Sequence, residues 1–176
     1  MKGHWHLFTD GSVNNQSKVG YGAYLRLDDI SSSAALLKDT ALLKDKINTK
    51  RFEATSSTRL ELQTLLWALN EWVALQDVQK IELTIYTDSK NIISLPARRE
   101  RLERENYFSR NKNRLKNYEL YQAFYILMDN IKCKLVKVKG HQRLIQQDII
   151  AERFSLVDQA ARQALRADRK NLERQQ

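Results

Sequence analysis

The chain of 176 residues contains one cysteine, Cys133, one proline, Pro96, and five glycines. A single thiol can build neither an internal disulfide framework nor a cysteine-based zinc site, which fits a reducing compartment. So little proline and glycine excludes collagen-like and low-complexity chains. With 42% hydrophobic and 29% charged residues, the composition is that of a folding chain and not of a disordered one. No run of about 18 apolar residues is present to span a bilayer, and Met1-Lys2-Gly3-His4-Trp5-His6 lacks the apolar stretch of a secretory signal. The expectation is a cytoplasmic protein. Acids are also in short supply, 21 against 30 Lys and Arg, which gives +9 and an isoelectric point near 9.7. That balance favours a polyanionic partner, nucleic acid or an anionic membrane surface, and charge alone does not choose between them.

The length suits one domain, 1–176, with a true core. Its basic charge is uneven: between Ala97 and Lys116 eight cations, among them Arg98, Arg99, Arg101 and Lys116, face three acids, so five of the nine net charges lie there. Trp5, Leu7 and Thr9 alternate with His6, Phe8 and Asp10, and after a polar turn Gly20 to Leu27 resumes an apolar run, a pattern that predicts a hairpin. The repeat Ala35-Leu-Leu-Lys-Asp39 and Ala41-Leu-Leu-Lys-Asp45 has a six-residue period that suits a strand better than a helix, so this segment is expected to be extended. From Thr58 to Leu75 the positions Leu62, Leu65, Leu66, Leu69, Trp72 and Val73 form a helical stripe. Ile81, Leu83 and Ile85 then alternate as a strand that stops at Thr87-Asp-Ser89. A helix broken by Pro96 is expected next, then the basic segment, a helix from Tyr118 to Ile131, a strand from Leu135 to Lys139, and a last helix from Ile150 to about Lys170 with a frayed charged end at about 168–176. This alternation predicts an α/β fold, a mixed sheet with helices packed on its faces.

Carboxylates carry the clearest chemical hint. Asp10 and Asp88 both fall at predicted strand ends, each closely followed by Ser, and acids gathered at strand ends in an α/β sheet are candidate metal ligands. Turn chemistry explains either one alone equally well. Glu61 lies three residues after Thr58, the spacing of a capping box. Asp158 precedes Arg162 by four residues, the spacing of a surface ion pair. His141 follows Gly140 at a strand end, where a surface role is the commonplace one. Each of these residues has an ordinary structural explanation when taken singly.

Taken together, in order, they resemble the type 1 ribonuclease H family, and the resemblance covers nearly the whole chain. Its motifs are matched by Phe8-Thr-Asp-Gly-Ser12, Val19-Gly-Tyr-Gly-Ala23, Arg59-Leu-Glu-Leu62, Thr87-Asp-Ser89, Val138-Lys-Gly-His141 and Asp158-Gln-Ala-Ala161. The resemblance implies a ribonuclease H-like fold, a mixed five-stranded sheet with helices on both faces. It implies hydrolysis of the RNA strand of RNA–DNA hybrids, with 5′-phosphate and 3′-hydroxyl products; the expected partner is the hybrid, no membrane partner is expected, and the protein is expected to be a monomer. Asp10, Glu61, Asp88 and Asp158 would be catalytic metal ligands for two Mg2+ or Mn2+ ions, and His141 a mobile general base or an aid to product release. Ser12, Ser57 and Glu61 fall where the family reads the 2′-hydroxyl. Ser56 and Asn117, with Lys116 adjacent, fall where it holds a phosphate of the DNA strand. The segment 97–117, with Arg98, Arg99 and Arg101, lies where members carry a basic protrusion that tracks the hybrid; a solvated helix laced by pairs such as Glu100 and Arg104 is the plainer alternative. A non-catalytic hybrid-binding module on the same fold is the rival function, against which the presence of all four acids counts.

Overall fold

The first strand, β1 (Gly3–Asn14), explains why the protein needs helices on two sides of its sheet. Consecutive strand residues point to opposite faces, and here both Leu7 and Phe8 are apolar and buried. In the computed structural model, which describes residues 3–28, 40–75, 81–139 and 149–174, β1 is followed by β2 (Val19–Leu27), α1 (Thr40–Lys44), β3 (Asn48–Phe52), α2 (Ser57–Leu75), β4 (Ile81–Thr87), α3 (Lys90–Arg104), α4 (Tyr118–Asn130), β5 (Cys133–Lys137) and α5 (Ile149–Glu173). The five strands form one sheet in the order β3-β2-β1-β4-β5. β1–β2 and β2–β3 are antiparallel, while β1–β4 and β4–β5 are parallel. This is the mixed five-stranded sheet expected from the sequence. Among the described residues no helix is long and apolar enough to cross a membrane.

The two faces carry separate cores. Leu7, Tyr24, Leu83 and Ile85 pack with Leu62, Leu65, Leu69 and Trp72 of α2, Ile92, Leu95 and Leu102 of α3, and Tyr121 and Phe124 of α4. On the other face Phe8, Ala23, Leu25 and Tyr86 pack with Phe154, Leu156, Val157 and Ala161 of α5 and Leu43 of α1. Phe8 and Tyr86, register partners across β1 and β4, stack with ring centroids 4.6 Å apart.

Two sequence expectations about the elements are corrected, and one strand was not anticipated. Pro96 does not break its helix: α3 runs through it to Arg104. Proline removes the amide that would bond the Ile92 carbonyl, but Ile92 and Leu95 before it and Leu102 after it are sunk in one core, and the Tyr125 hydroxyl donates to the Leu95 carbonyl at 2.8 Å, so packing outweighs the lost bond. The second copy of the repeat is not extended: Thr40–Lys44 is a short helix because one turn suffices to bury Leu43. The first copy, like His141, lies outside the described residues. Strand β3 was not foreseen, since Asn48–Phe52 is an edge strand with almost no buried face and so carries no apolar alternation. The last helix, α5, reaches Glu173. Asp168 is tied to the sheet by the Tyr21 hydroxyl at 3.1 Å and the Arg51 guanidinium at 3.3 Å, and Arg169 pairs with Glu173 one turn on.

Where α2 crosses β1 and β2 the strands present glycine. A Cβ on Gly11 would lie 2.8 Å from Leu60, one on Gly20 2.6 Å from Leu60, and one on Gly22 only 2.1 Å from the Thr64 hydroxyl, which itself donates to the Leu60 carbonyl at 2.8 Å. Gly22→Ala is therefore expected to cost about 1–3 kcal/mol, a fall of roughly 2–4 °C in melting temperature for each kcal/mol. Thr64→Ala in the same chain should restore part of the loss. Equal melting temperatures for wild type and the single variant would show that α2 is not held this close.

Candidate active site

β1 and β4 part company where the acids begin. Their last paired residues are Phe8 and Tyr86, so Asp10 and Asp88 each stand two residues beyond, on the same side of two adjacent parallel strands. Asp10 is not at a strand end, as the sequence reading had it, because β1 carries on against β2, with Asp10 opposite Ala23, as far as Asn14. The turn itself is capped by Asn14, whose Oδ1 accepts from the amides of Gln16 at 2.9 Å and Ser17 at 3.3 Å. Asp10 is thus not used as a turn residue. Nor is Asp88. The cap of α3 is Ser89, whose hydroxyl accepts from the Ile92 amide at 3.3 Å, while Thr87 receives the Val138 amide at 2.9 Å on its carbonyl. Asp88 sits between two pinned residues and remains partly exposed.

Glu61 comes from the first turns of α2. The capping-box reading would have it bond the backbone of Thr58. Instead its carboxylate accepts from the Ser89 hydroxyl at 2.6 Å and from the Ser57 side chain, which turns it across the gap toward Asp88. Asp158 projects from the middle of α5, whose buried Phe154, Val157 and Ala161 fix the helix on the sheet. The surface-pair reading of Asp158 holds as far as it goes, since Arg162 Nε donates to its Oδ1 at 2.7 Å. The same carboxyl also meets that of Asp10 in a hydrogen bond.

Asp10, Glu61, Asp88 and Asp158 consequently line one open cleft of about 430 Å³, together with Gly11, Ser12, Val13, Ser57, Arg162, Leu165 and Arg166. Burial, chiefly, and then the charges of Asp88 and Asp158 push the Asp10 carboxyl up to about 8, against the Gly11 amide that favours its ionised form. Glu61 is raised by burial and by Asp88, opposed by its bonds from Ser89 and Ser57. Among the described residues no three His, Cys, Asp or Glu side chains close into a cage around a metal ion. An open carboxylate cleft suits magnesium nevertheless, because that ion keeps several waters and takes one or two carboxylates plus substrate oxygens in preference to an all-protein cage. The donor set is entirely hard oxygen, and a divalent cation would relieve the repulsion that raises Asp10.

Of the other described residues singled out in the sequence, Ser12 and Ser57 line the cleft, and Ser56, Asn117, Lys116, Arg98, Arg99 and Arg101 do not. Ser56 is exposed just ahead of α2, its carbonyl accepting from the Leu60 amide at 2.7 Å. Asn117, at the start of α4, is drawn to that helix start by Arg59, which donates to its Oδ1 at 3.3 Å; Lys116 beside it is exposed. Arg98 donates to Asn91 at 3.0 Å and lies over the Tyr121 ring, Arg99 grips Asp129 through both terminal nitrogens at 2.5 and 2.8 Å, and Arg101 lies 3.8 Å from Glu105. The loop after α3 folds back on itself, with the Arg114 guanidinium over the Phe108 and Tyr118 rings. Arg162 and Arg166 line the cleft and Ser89 holds Glu61, and none of the three was expected in these roles from the sequence. Helical spacing could have found the arginines, since positions 158, 162 and 166 share a face.

A family model described as RNase H matches residues 2–166. Among solved structures, that of LC9-RNase H1, described as a type 1 RNase H with the type 2 active-site motif, superposes with a TM-score of 0.66 at 15% identity, over 93% of this chain and 72% of that one. No curated protein matches the sequence.

The raised Asp10 has a measurable consequence in the metal-free protein. Its folded value lies above its unfolded one, so between about pH 4 and pH 8 the native state holds a proton that the unfolded state has released, and stability falls as pH rises through that window. Melting temperatures recorded in chelator from pH 4.5 to 9 should therefore decline more steeply for wild type than for Asp10→Asn, with the variant gaining on wild type until about pH 8 and no further. Parallel profiles would show that Asp10 ionises normally.

Proposed function

Because the chain belongs to the RNase H family, we propose that it is an endoribonuclease that hydrolyses the RNA strand of RNA–DNA hybrids with the help of two divalent ions, Mg2+ or Mn2+, leaving 5′-phosphate and 3′-hydroxyl ends. The observation that carries this reading is the convergence of four carboxylates from β1, α2, the end of β4 and α5 on one open cleft. Asp10, Glu61, Asp88 and Asp158 would hold the ions, which when bound supply activation of the attacking water and stabilisation of the departing 3′-oxygen.

The remaining work falls to the protein's own groups. The Gly11 amide orients Asp10, Ser89 and Ser57 orient Glu61, and Arg162 orients Asp158, so the acids are set before substrate arrives and little rearrangement is needed in the transition state. The cleft is open to solvent along one side, as a duplex must lie across it and cannot be engulfed. Ser12 and Ser57, beside the acids, are placed to meet a 2′-hydroxyl in a shallow minor groove, the feature that distinguishes RNA from DNA. Asn117, bonded by the Arg59 side chain of α2, supplies with Lys116 and Ser56 a second contact at a DNA-strand phosphate. His141 acts as general base or in product release. The net +9 charge supplies long-range attraction to the duplex.

The test is cleavage of one labelled sequence prepared as RNA–DNA hybrid, double-stranded RNA, double-stranded DNA and single-stranded RNA, each with magnesium, manganese or chelator. Metal-dependent cutting of the hybrid's RNA strand alone is expected, and Asp10→Asn should lower the rate at least a hundredfold, about 2.7 kcal/mol of transition-state stabilisation, with hybrid binding retained. Hybrid binding without cutting under any metal would instead identify a binding module. For the basic protrusion, Arg98→Gln, Arg99→Gln and Arg101→Gln combined should weaken hybrid binding and flatten its dependence on salt; an unchanged slope would mean that these arginines serve only their partners within the protein.

A further inference from the structure

The acid cleft does not end at the carboxylates. It meets a second groove of about 500 Å³ that runs between the β1–β2 turn and the last turns of α5, and Val13, Leu165 and Arg166 line both. The turn wall of this groove is made of Asn14, Asn15, Gln16 and Ser17, all uncharged hydrogen-bonding side chains, and the helix wall carries Arg166, Asp168, Arg169 and Glu173. Three of those four charges are already satisfied within the protein. Asp168 is held by Tyr21 and Arg51, and Arg169 and Glu173 hold each other at 2.9 Å. Arg166 is exposed and has no ion-pair or hydrogen-bond partner among the described residues. It stands one turn beyond Arg162, which is engaged by Asp158, and two turns beyond Asp158 itself, on the same helix face. Among the described residues, one uncommitted guanidinium therefore marks the junction between the acid cleft and a groove whose turn wall is uncharged.

We propose that Arg166 anchors a phosphate of the cut strand next to the scissile one, and that this strand continues from the acid cleft along the groove beside Asn14 to Ser17. The inference rests on the hybrid-cleaving reading above and adds to it a direction for the strand and a residue that fixes its register. The chemistry fits a phosphate in particular. A guanidinium offers paired donors that match phosphate oxygens, and it keeps its charge at every working pH. An anion also suits the junction, because Arg166 is a fixed cation on the same wall as acids whose charge repels a phosphate backbone when no metal is bound. The amide wall opposite, rich in donors and acceptors but without charge, suits sugars and base edges that follow the anchored phosphate. Arg166 is thus a positioning residue, distinct from the groups that touch the reacting atoms.

The test uses the full chain and hybrids binding in chelator, so that affinity is read without turnover. Arg166→Ala should raise Kd about fivefold and lower the log–log salt slope by about one, Arg166→Lys should restore part of the affinity, and Arg166→Glu should lose more than alanine. Melting temperature should not move, since the side chain is exposed and has no partner among the described residues. In magnesium the loss should appear in KM with kcat nearly unchanged. A set of hybrids, each with one phosphate of the RNA strand replaced by an uncharged methylphosphonate, separates a local contact from a general loss of charge: at one or two positions adjoining the cut the substitution should weaken wild type and leave Arg166→Ala unaffected. Additive losses at every position, or an unchanged Kd and salt slope in Arg166→Ala, overturn the proposal while leaving hybrid cleavage standing. Failure of the wild-type chain to bind hybrid at all would overturn both readings together.

Discussion

The structure depends on an absence of side chains beneath one helix. Gly11, Gly20 and Gly22 leave a bare surface on β1 and β2, and α2 settles into it far enough for Leu60 and Thr64 to occupy the space where Cβ atoms would be. That close approach lowers the first turns of α2 to the level of the sheet, so that Glu61 meets Ser89 at the end of β4 and joins acids from elements far away in the chain. A helix riding one methyl group higher would lift Glu61 away from Ser89.

Four acids drawn together need a reason to stay together, and it is found around them. Each carboxylate whose bonds are described is held by a neutral or cationic group that costs the fold little: a backbone amide at Asp10, hydroxyls at Glu61, a guanidinium at Asp158. These contacts orient the acids without cancelling their charge, and burial and mutual repulsion still lift Asp10 well above the ordinary carboxylate range. The cleft is thereby left short of positive charge.

The chain as a whole is basic around this acidic spot, but its cations are not equivalent. Arg99 is locked to Asp129 and Glu103, Arg114 lies between aromatic rings, and Arg51 and Asp168 tie the edge of the sheet to α5. Counting charge along the sequence gives the sign of the partner. It does not tell which side chains are free to meet it, since that depends on neighbours brought in by folding.

Much of the architecture was legible from periodicity: α2, β4, α4 and the body of α5 each bury a stripe or a face, and the pattern survives in the order of apolar residues. What escaped the sequence reading lacked such a pattern. β3 is an edge strand with polar residues on both sides, Thr40–Lys44 buries a single leucine, and the passage of α3 through Pro96 is decided by the packing of Ile92, Leu95 and Leu102 and not by local propensity. The same division applies to the site. The four acids could be named from the sequence because they sit in short motifs whose order along the chain is distinctive. Which groups hold them, that Asp10 lies inside its strand, and that Arg166 borders two clefts were decided by the tertiary structure alone, because hydrogen bonds, burial and repulsion act through space between residues that the sequence sets as many as 148 positions apart, the interval from Asp10 to Asp158.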